Sequence, residues 1–440
     1  MSPGIIVTMA RDDVSRRGGP VDLSTAATDR AAGVLLTQVC GGPGVDSTRL
    51  TVRIAEIAAT GADLLDAGIP RPASGSSGDA LLCVAPVALA HLADPDRRAA
   101  AARAVAALID TDPVTAQACV LWCAGIADAV RTGSFDGVRG GLDQLPAPSR
   151  DRWARWLADA EQSPPARFRA GGDPVATVQA AYAAVRTTPV PSDEPAEGSF
   201  PCLHLQHALT AARTANGPPD GTAAALSGAL LGARWGASAV PFGWRRQLPG
   251  LTSRELVRLA VLAARGGEPG PQGWPQCDRM PYDVAAQPAV PHPCDQGVLL
   301  GNVGNAGDTG CAGHRDAVVS LCRRGRGEVP APSVEPGDHV EVRLQDRTDP
   351  AENPNLEFVI DDAARAVATL RDEGRRVLLH CVHGQSRTPT VAARYAVLRG
   401  MAVTDALADV VAVIPGARAN ITLRRALHRL GTPRRGARTL

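Results

Sequence analysis

No lysine occurs in this chain of 440 residues, so all 46 of its basic residues are arginine. Schiff-base chemistry and a phosphate loop built around a lysine are therefore excluded. The ten cysteines include no Cys-x-x-Cys pair. The closest two, Cys119 and Cys123, stand at helical spacing in an apolar stretch, which argues against both a zinc site and a disulfide framework. No apolar run approaches the roughly 18 residues that a membrane-spanning helix needs. Residues Met1 to Gly19 hold only the short apolar piece Ile5 to Val7 before charges resume, which is not the pattern of a secretory signal. A cytoplasmic location is expected. An excess of charge is lacking too: 46 basic against 45 acidic residues leave a net charge of +1. No global field draws the chain to nucleic acid or to an anionic membrane, and neither is expected as a partner.

What is present is a globular composition, 45% hydrophobic and 21% charged, in a chain long enough for two or three domains at about 150 residues each. From about Val21 to Gly266 apolar residues recur every three or four positions, as in Arg98 to Asp110 and Pro113 to Arg131, which predicts an all-α domain. Between Gly266 and Asp295 glycines and repeated prolines break that pattern and mark a linker. Beyond it, Gly297 to Val303, Ala317 to Cys322, His339 to Leu344 and Arg376 to His380 read as strands. Helical patterns run over Asn355 to Arg371, Pro389 to Leu398, Thr404 to Val413 and Asn420 to Leu430. Interleaved in this way, they predict an α/β domain with a central mixed sheet flanked by helices. The expected layout is a tail at 1–20, a helical domain at 21–266, a Pro/Gly-rich linker at 267–294, an α/β domain at 295–432 and a basic tail at 433–440.

The sharpest signal is His380-Cys381-Val382-His383-Gly384-Gln385-Ser386-Arg387-Thr388, between the apolar strand Val377 to Leu379 and a helical pattern from Pro389. A cysteine where a strand turns into a helix faces backbone N–H groups and the positive end of the helix dipole, which favours its thiolate. Gly384 permits backbone angles that let the amides of Val382 to Ser386 curl around one phosphate. Arg387 offers a planar fork to two phosphoryl oxygens, and Thr388 a hydroxyl proton to a departing sulfur. A bare Cys-x5-Arg is expected about once by accident at this composition. The weight rests on the added histidine, glycine and Ser/Thr and on the strand–loop–helix setting.

This segment matches the His-Cys-x5-Arg-Ser/Thr signature, and the chain from about Cys294 to Leu430 resembles the protein tyrosine and dual-specificity phosphatases. Val298 to Asn302 and Val318 to Leu321 are similar to that family's entry strand and next strand. The resemblance implies phosphomonoester hydrolysis with Cys381 as nucleophile, Arg387 as phosphate clamp, an upstream aspartate as general acid and no cofactor. Its substrate would be a phosphorylated protein or a small phosphomonoester. Two carboxylates compete for the acid. Asp346 directly follows the strand His339 to Leu344, whereas Asp349 precedes a proline; the strand-anchored Asp346 is preferred. His383 and Gln385 would line the pocket floor, and His380 would orient the loop. The scarcity of aromatics in this domain gives no deep slot for phosphotyrosine and points to a shallow pocket.

The first half resembles the ADP-ribosylglycohydrolase family across about Asp29 to Gly266. Asp29 to Leu36 is similar to its opening helix, Val84 to Leu89 to its apolar motif and Gly221 to Gly232 to its last helix. Active members use two magnesium ions, which need several fixed oxygen ligands. Here only remnants stand: Asp46 and Thr48 at the first site, and at the second Pro219 and Gly221 at the aligned positions, with Asp220 displaced by one place before Thr222. Magnesium is expected only if this domain is active, and the loss of carboxylates implies that it is not. An ADP-ribose-like ligand is the partner that the resemblance suggests.

Overall fold

The computed structural model describes residues 22–42, 45–69, 75–169, 171–216, 221–248, 252–307 and 315–431. Both expected tails and Asp220 lie outside them.

Between residues 22 and 264 the described chain is built of α-helices and short 3-10 turns, and its one β-feature is a bridge between Glu194 and Ser199. Helix α1 (Thr25–Cys40) starts at Ser24, whose hydroxyl accepts from the Ala27 amide, filling one of the orphan donors of a helix start. After α2 (Val45–Ala58), α3 (Pro113–Thr132) opens on an Asp112 cap with proline in its first turn and stops at Gly133 in the left-handed conformation, the usual chemistry of helix ends. By length and composition α3 could cross a membrane, but Trp122, Cys123 and Ile126 along it have no exposed surface; it is the core helix of the bundle. Helices α4 (Thr222–Trp235) and α5 (Ser253–Ala264) complete the frame around α1. Helices α1 and α4 meet backbone to backbone: a β-carbon on Gly33 would lie 2.5 Å from the Gly232 carbonyl oxygen. Glycine is required there by space, since any side chain would push the helices apart.

The remainder carries five strands: β1 (Val290–His292), β2 (Asp295–Gly301), β3 (Ala317–Ser320), β4 (His339–Glu341) and β5 (Val377–His380). Their order is β1-β2-β5-β3-β4, with β1 antiparallel to β2 and all other pairs parallel. Strands β3 and β5, buried at every residue, show the continuous apolar runs of interior parallel strands. Helices α6 (Leu356–Asp372), α7 (Arg387–Leu398), α8 (Val403–Val413) and α9 (Ile421–Leu430) follow the expected boundaries within a few residues.

The segment expected as a linker is packed structure. It supplies β1, whose proline is tolerated because the strand is at the sheet edge, and it buries Trp274 and Met280. One hydrophobic cluster runs from Leu35 and Leu259 in the helical half to Val298 and Leu379 in the sheet. Polar contacts also join the two: the Phe242 amide and Arg245 both reach Asp362 at 3.0 Å, and Asn355 Nδ2 donates to the Trp235 carbonyl and Ser238 Oγ at 2.7 Å.

Candidate active site

Cys381 leaves β5, and the loop Val382 to Ser386 leads directly into α7 at Arg387. Gly384 turns this loop with φ of +77°, and a β-carbon there would lie 2.9 Å from the Gly301 carbonyl oxygen; both facts require glycine. The surrounding fold satisfies loop carbonyls, with the Val303 amide donating to Val382 O at 3.1 Å and the Arg418 amide to Gln385 O at 2.6 Å. The amides do the opposite. Among the described residues, none of the five N–H groups from Val382 to Ser386 donates a hydrogen bond to the protein. Consecutive unclaimed amides before a helix start form an anion cradle, and Cys381, a residue 1% exposed, directly precedes them in the chain.

Arg387 is fixed at one corner only. Its Nη1 donates to the Leu321 and Leu344 carbonyls at 2.7 and 3.1 Å, whereas its Nε is buried without an acceptor. That nitrogen lies 3.9 Å from Asp346 Oδ2, too far for a hydrogen bond. A buried N–H left unpaired costs free energy that an oxyanion would return.

Asp346 sits against the cradle: its Oδ1 accepts from Ser386 Oγ at 2.8 Å and from Asn420 Nδ2 at 2.7 Å. Asp349 instead accepts from the Ala351 amide at 2.9 Å and caps the turn Pro350–Glu352. Thr388 Oγ1 is buried with no partner. His383 and Gln385 do not line a floor. Both are exposed, because the turn at Gly384 leaves their side chains on the outer rim. Ser386 as a partner of Asp346 and Asn420 as its second donor were not foreseen. Asn420 reads in sequence as a helix cap, which it also is, and nothing local announces a contact spanning 74 residues.

Behind the loop runs a buried chain of hydrogen bonds. The Ala331 amide donates to His339 Nδ1 at 2.9 Å, so the proton of that ring is on Nε2 and points to Ser320 Oγ at 2.9 Å. Ser320 then donates to His380 Nε2 at 2.6 Å, and His380 Nδ1–H reaches the Cys381 carbonyl at 3.3 Å. One backbone donor thus sets both tautomers and fastens the cysteine's own peptide. Burial pushes His339 down to about 3 and His380 well below its ordinary value, so both rings are neutral. Since the unfolded imidazoles titrate near 6.5, acid protonates the unfolded chain first, and stability falls as pH drops below about 6.5. The slope is up to ~1.4 kcal/mol per pH unit for each ring. Urea midpoints at pH 7 and 5 should show this loss and His339→Gln should partly flatten it; a midpoint independent of pH would contradict the neutral relay.

The described remnants of the other site, Asp46, Thr48 and Thr222, lie toward the far end of α1. The Asp46 carboxylate is 98% exposed and pairs with Arg49 at 3.3 Å, Ser47 is turned onto Asp79, and Thr48 is half-buried on the same helix. Thr222 lies beside the start of the helix that carries Asp79, 3.2 Å from where a Gly78 β-carbon would be. Among the described residues no three His, Cys, Asp or Glu side chains are placed to hold a metal. The described remnants do not fit a magnesium pair.

No curated protein matches the chain. Solved structures that it resembles include human DUSP28, at 21% identity over 34% of this chain and 97% of that one with a TM-score of 0.29, and Tk-PTP in its active form, at 23% identity over 36% and 97% with a TM-score of 0.25. An ADP-ribosylglycohydrolase-related protein complex aligns at 18% identity over 56% of this chain and 100% of that one, with a TM-score of 0.40. The model of the ADP-ribosylglycohydrolase family matches residues 14–271, more than half of the sequence, and the chain belongs to that family.

Proposed function

We propose that the C-terminal half is a cysteine-dependent phosphatase of the dual-specificity type, carried on a helical ADP-ribosylglycohydrolase scaffold that has lost its own reaction. The observation that carries this reading is the run of five unclaimed amides between Cys381 and Arg387, whose Nε is also buried and unpaired. In the reaction, phosphoryl oxygens take the amides and the Arg387 fork. The Cys381 thiolate attacks phosphorus, the P–O bond to the leaving group breaks, and Asp346 gives its proton to the departing oxygen. Asp346, now a carboxylate, then takes a proton from water, which attacks the thiophosphate; the S–P bond breaks, inorganic phosphate leaves, and Thr388 can hydrogen-bond the returning thiolate. The exposed Asp46 supports the view that the helical half no longer hydrolyses ADP-ribosyl bonds.

The test is hydrolysis of p-nitrophenyl phosphate in a metal chelator, with acid quenching to trap phosphate on Cys381. Turnover and a phosphocysteine are expected; absence of both would sink the proposal. Asp346→Asn should lower kcat about 100-fold, in the range of a lost general acid, while Asp349→Asn should change it little. The reverse order would move the acid to Asp349.

A further inference from the structure

A cavity of about 420 Å³ lies between the helical half and the sheet, walled by Asp29 and Ser238 on one side and by Arg323, Arg343 and Gln345 on the other, and it reaches Arg387. Its size falls within the range of small-molecule pockets. Seven arginines line it against three carboxylates, and the carboxylates are already engaged. Asp29 accepts from the Ser238 amide and hydroxyl at 3.1 and 2.6 Å, Glu341 pairs with Arg254 at 2.6 Å, and Glu352 accepts from Thr25 at 2.5 Å. Arg245 and Arg258 are paired as well, with Asp362 and Glu255.

Arg323 and Arg343 are different. Among the described residues neither donates a hydrogen bond or joins an ion pair; their guanidinium carbons lie 4.5 and 5.6 Å from the centroid of the Trp274 ring. An indole that holds two guanidiniums by their faces leaves their N–H edges free. Burial pushes both below the ordinary arginine value, while Asp29 acts on each in the opposite direction without touching either as an ion pair. The opposite, metal-remnant end of α1 has no part in this space; the cavity is at the Thr25 end, together with the clamp of the phosphatase loop.

We propose that this cavity is the specificity pocket of the phosphatase, and that its substrate is a compact phosphomonoester bearing a second phosphate or pyrophosphate group, which Arg323 and Arg343 grip while the phosphoryl group to be removed occupies the Cys381 loop. The assignment rests on the phosphatase reading above. It makes a folded phosphoprotein the wrong substrate, because the two guanidiniums line a cavity between two halves of one chain.

Three phosphate esters test it on the full chain: adenosine bisphosphate, adenosine monophosphate and a phosphotyrosine peptide, with p-nitrophenyl phosphate as reference. The bisphosphate should exceed the monophosphate in kcat/KM by at least ~10-fold, the factor that one charge-assisted contact supplies. Arg323→Gln with Arg343→Gln should erase that ratio through KM, not kcat. Turnover of p-nitrophenyl phosphate without a preference for the bisphosphate, or with a preference for the peptide, overturns the pocket and leaves the phosphatase standing, whether or not the double variant folds. Calorimetry on Cys381→Ser separates the other case. If nothing is hydrolysed, yet this variant binds adenosine bisphosphate at least ~10-fold more tightly than the monophosphate and loses that margin with the two arginines, the pocket stands and the phosphatase reading falls.

Discussion

Replacing Cys381 with serine should leave the fold intact and abolish turnover of p-nitrophenyl phosphate, a loss on the order of 10⁴-fold or more, as for removal of a covalent nucleophile. The exchange is nearly isosteric at a residue 1% exposed, so no cavity opens. The amides of Val382 to Ser386 and the Nε of Arg387 remain unclaimed, and phosphate or vanadate should still bind. What is lost is the sulfur: a serine hydroxyl at neutral pH offers no comparable anion to attack phosphorus. The check is steady-state kinetics beside vanadate titration of the variant. Retained turnover would place the chemistry elsewhere in the chain.

Arg387→Lys is the second severe change, although it keeps the charge. The guanidinium holds the Leu321 and Leu344 carbonyls with Nη1 and still has Nε to offer. An ammonium group cannot do both: reaching either carbonyl draws it away from the cradle, and facing the cradle strands two buried acceptors. A drop of 10²–10³-fold in kcat is expected, in the range for removal of a preorganised donor from a developing oxyanion. Vanadate affinity should fall in parallel, since the fork serves the trigonal-bipyramidal geometry. A lysine variant with near-normal kcat would show that the buried Nε does not meet substrate.

Much of this arrangement was legible in the sequence because it is local. Helix periods and Gly/Pro breaks separate the helical half from the sheet, and the span from His380 to Thr388 carries the proposed nucleophile, cradle and clamp within nine consecutive positions. Asp346 was favoured over Asp349 from its tie to a strand, and the structure places it at the loop, with Asp349 capping a turn. What was not legible is held by contacts distant in sequence. Strand β1 hides among prolines that only a sheet edge tolerates. Asn420 and Ser320 serve the site through side chains whose partners are fixed by tertiary packing. The unpaired state of Arg323 and Arg343 is a property of the cavity walls, and no spacing rule encodes it. His383 and Gln385 were misplaced because the direction of a loop side chain follows from the turn at Gly384, not from its neighbours in sequence.

The segment that follows β4 has two masters. At one end Asp346 is moored to Ser386 and Asn420 of the sheet half; at the other, Glu352 is tied to Thr25 and Asn355 to Trp235 and Ser238 of the bundle. Asp346, the proposed proton donor, is therefore suspended between the sheet half and the helical bundle. On the proposed function, the helical bundle is the abutment on which the other half's acid is hung, and this is a physical reason for such a frame to be kept whatever its own chemistry.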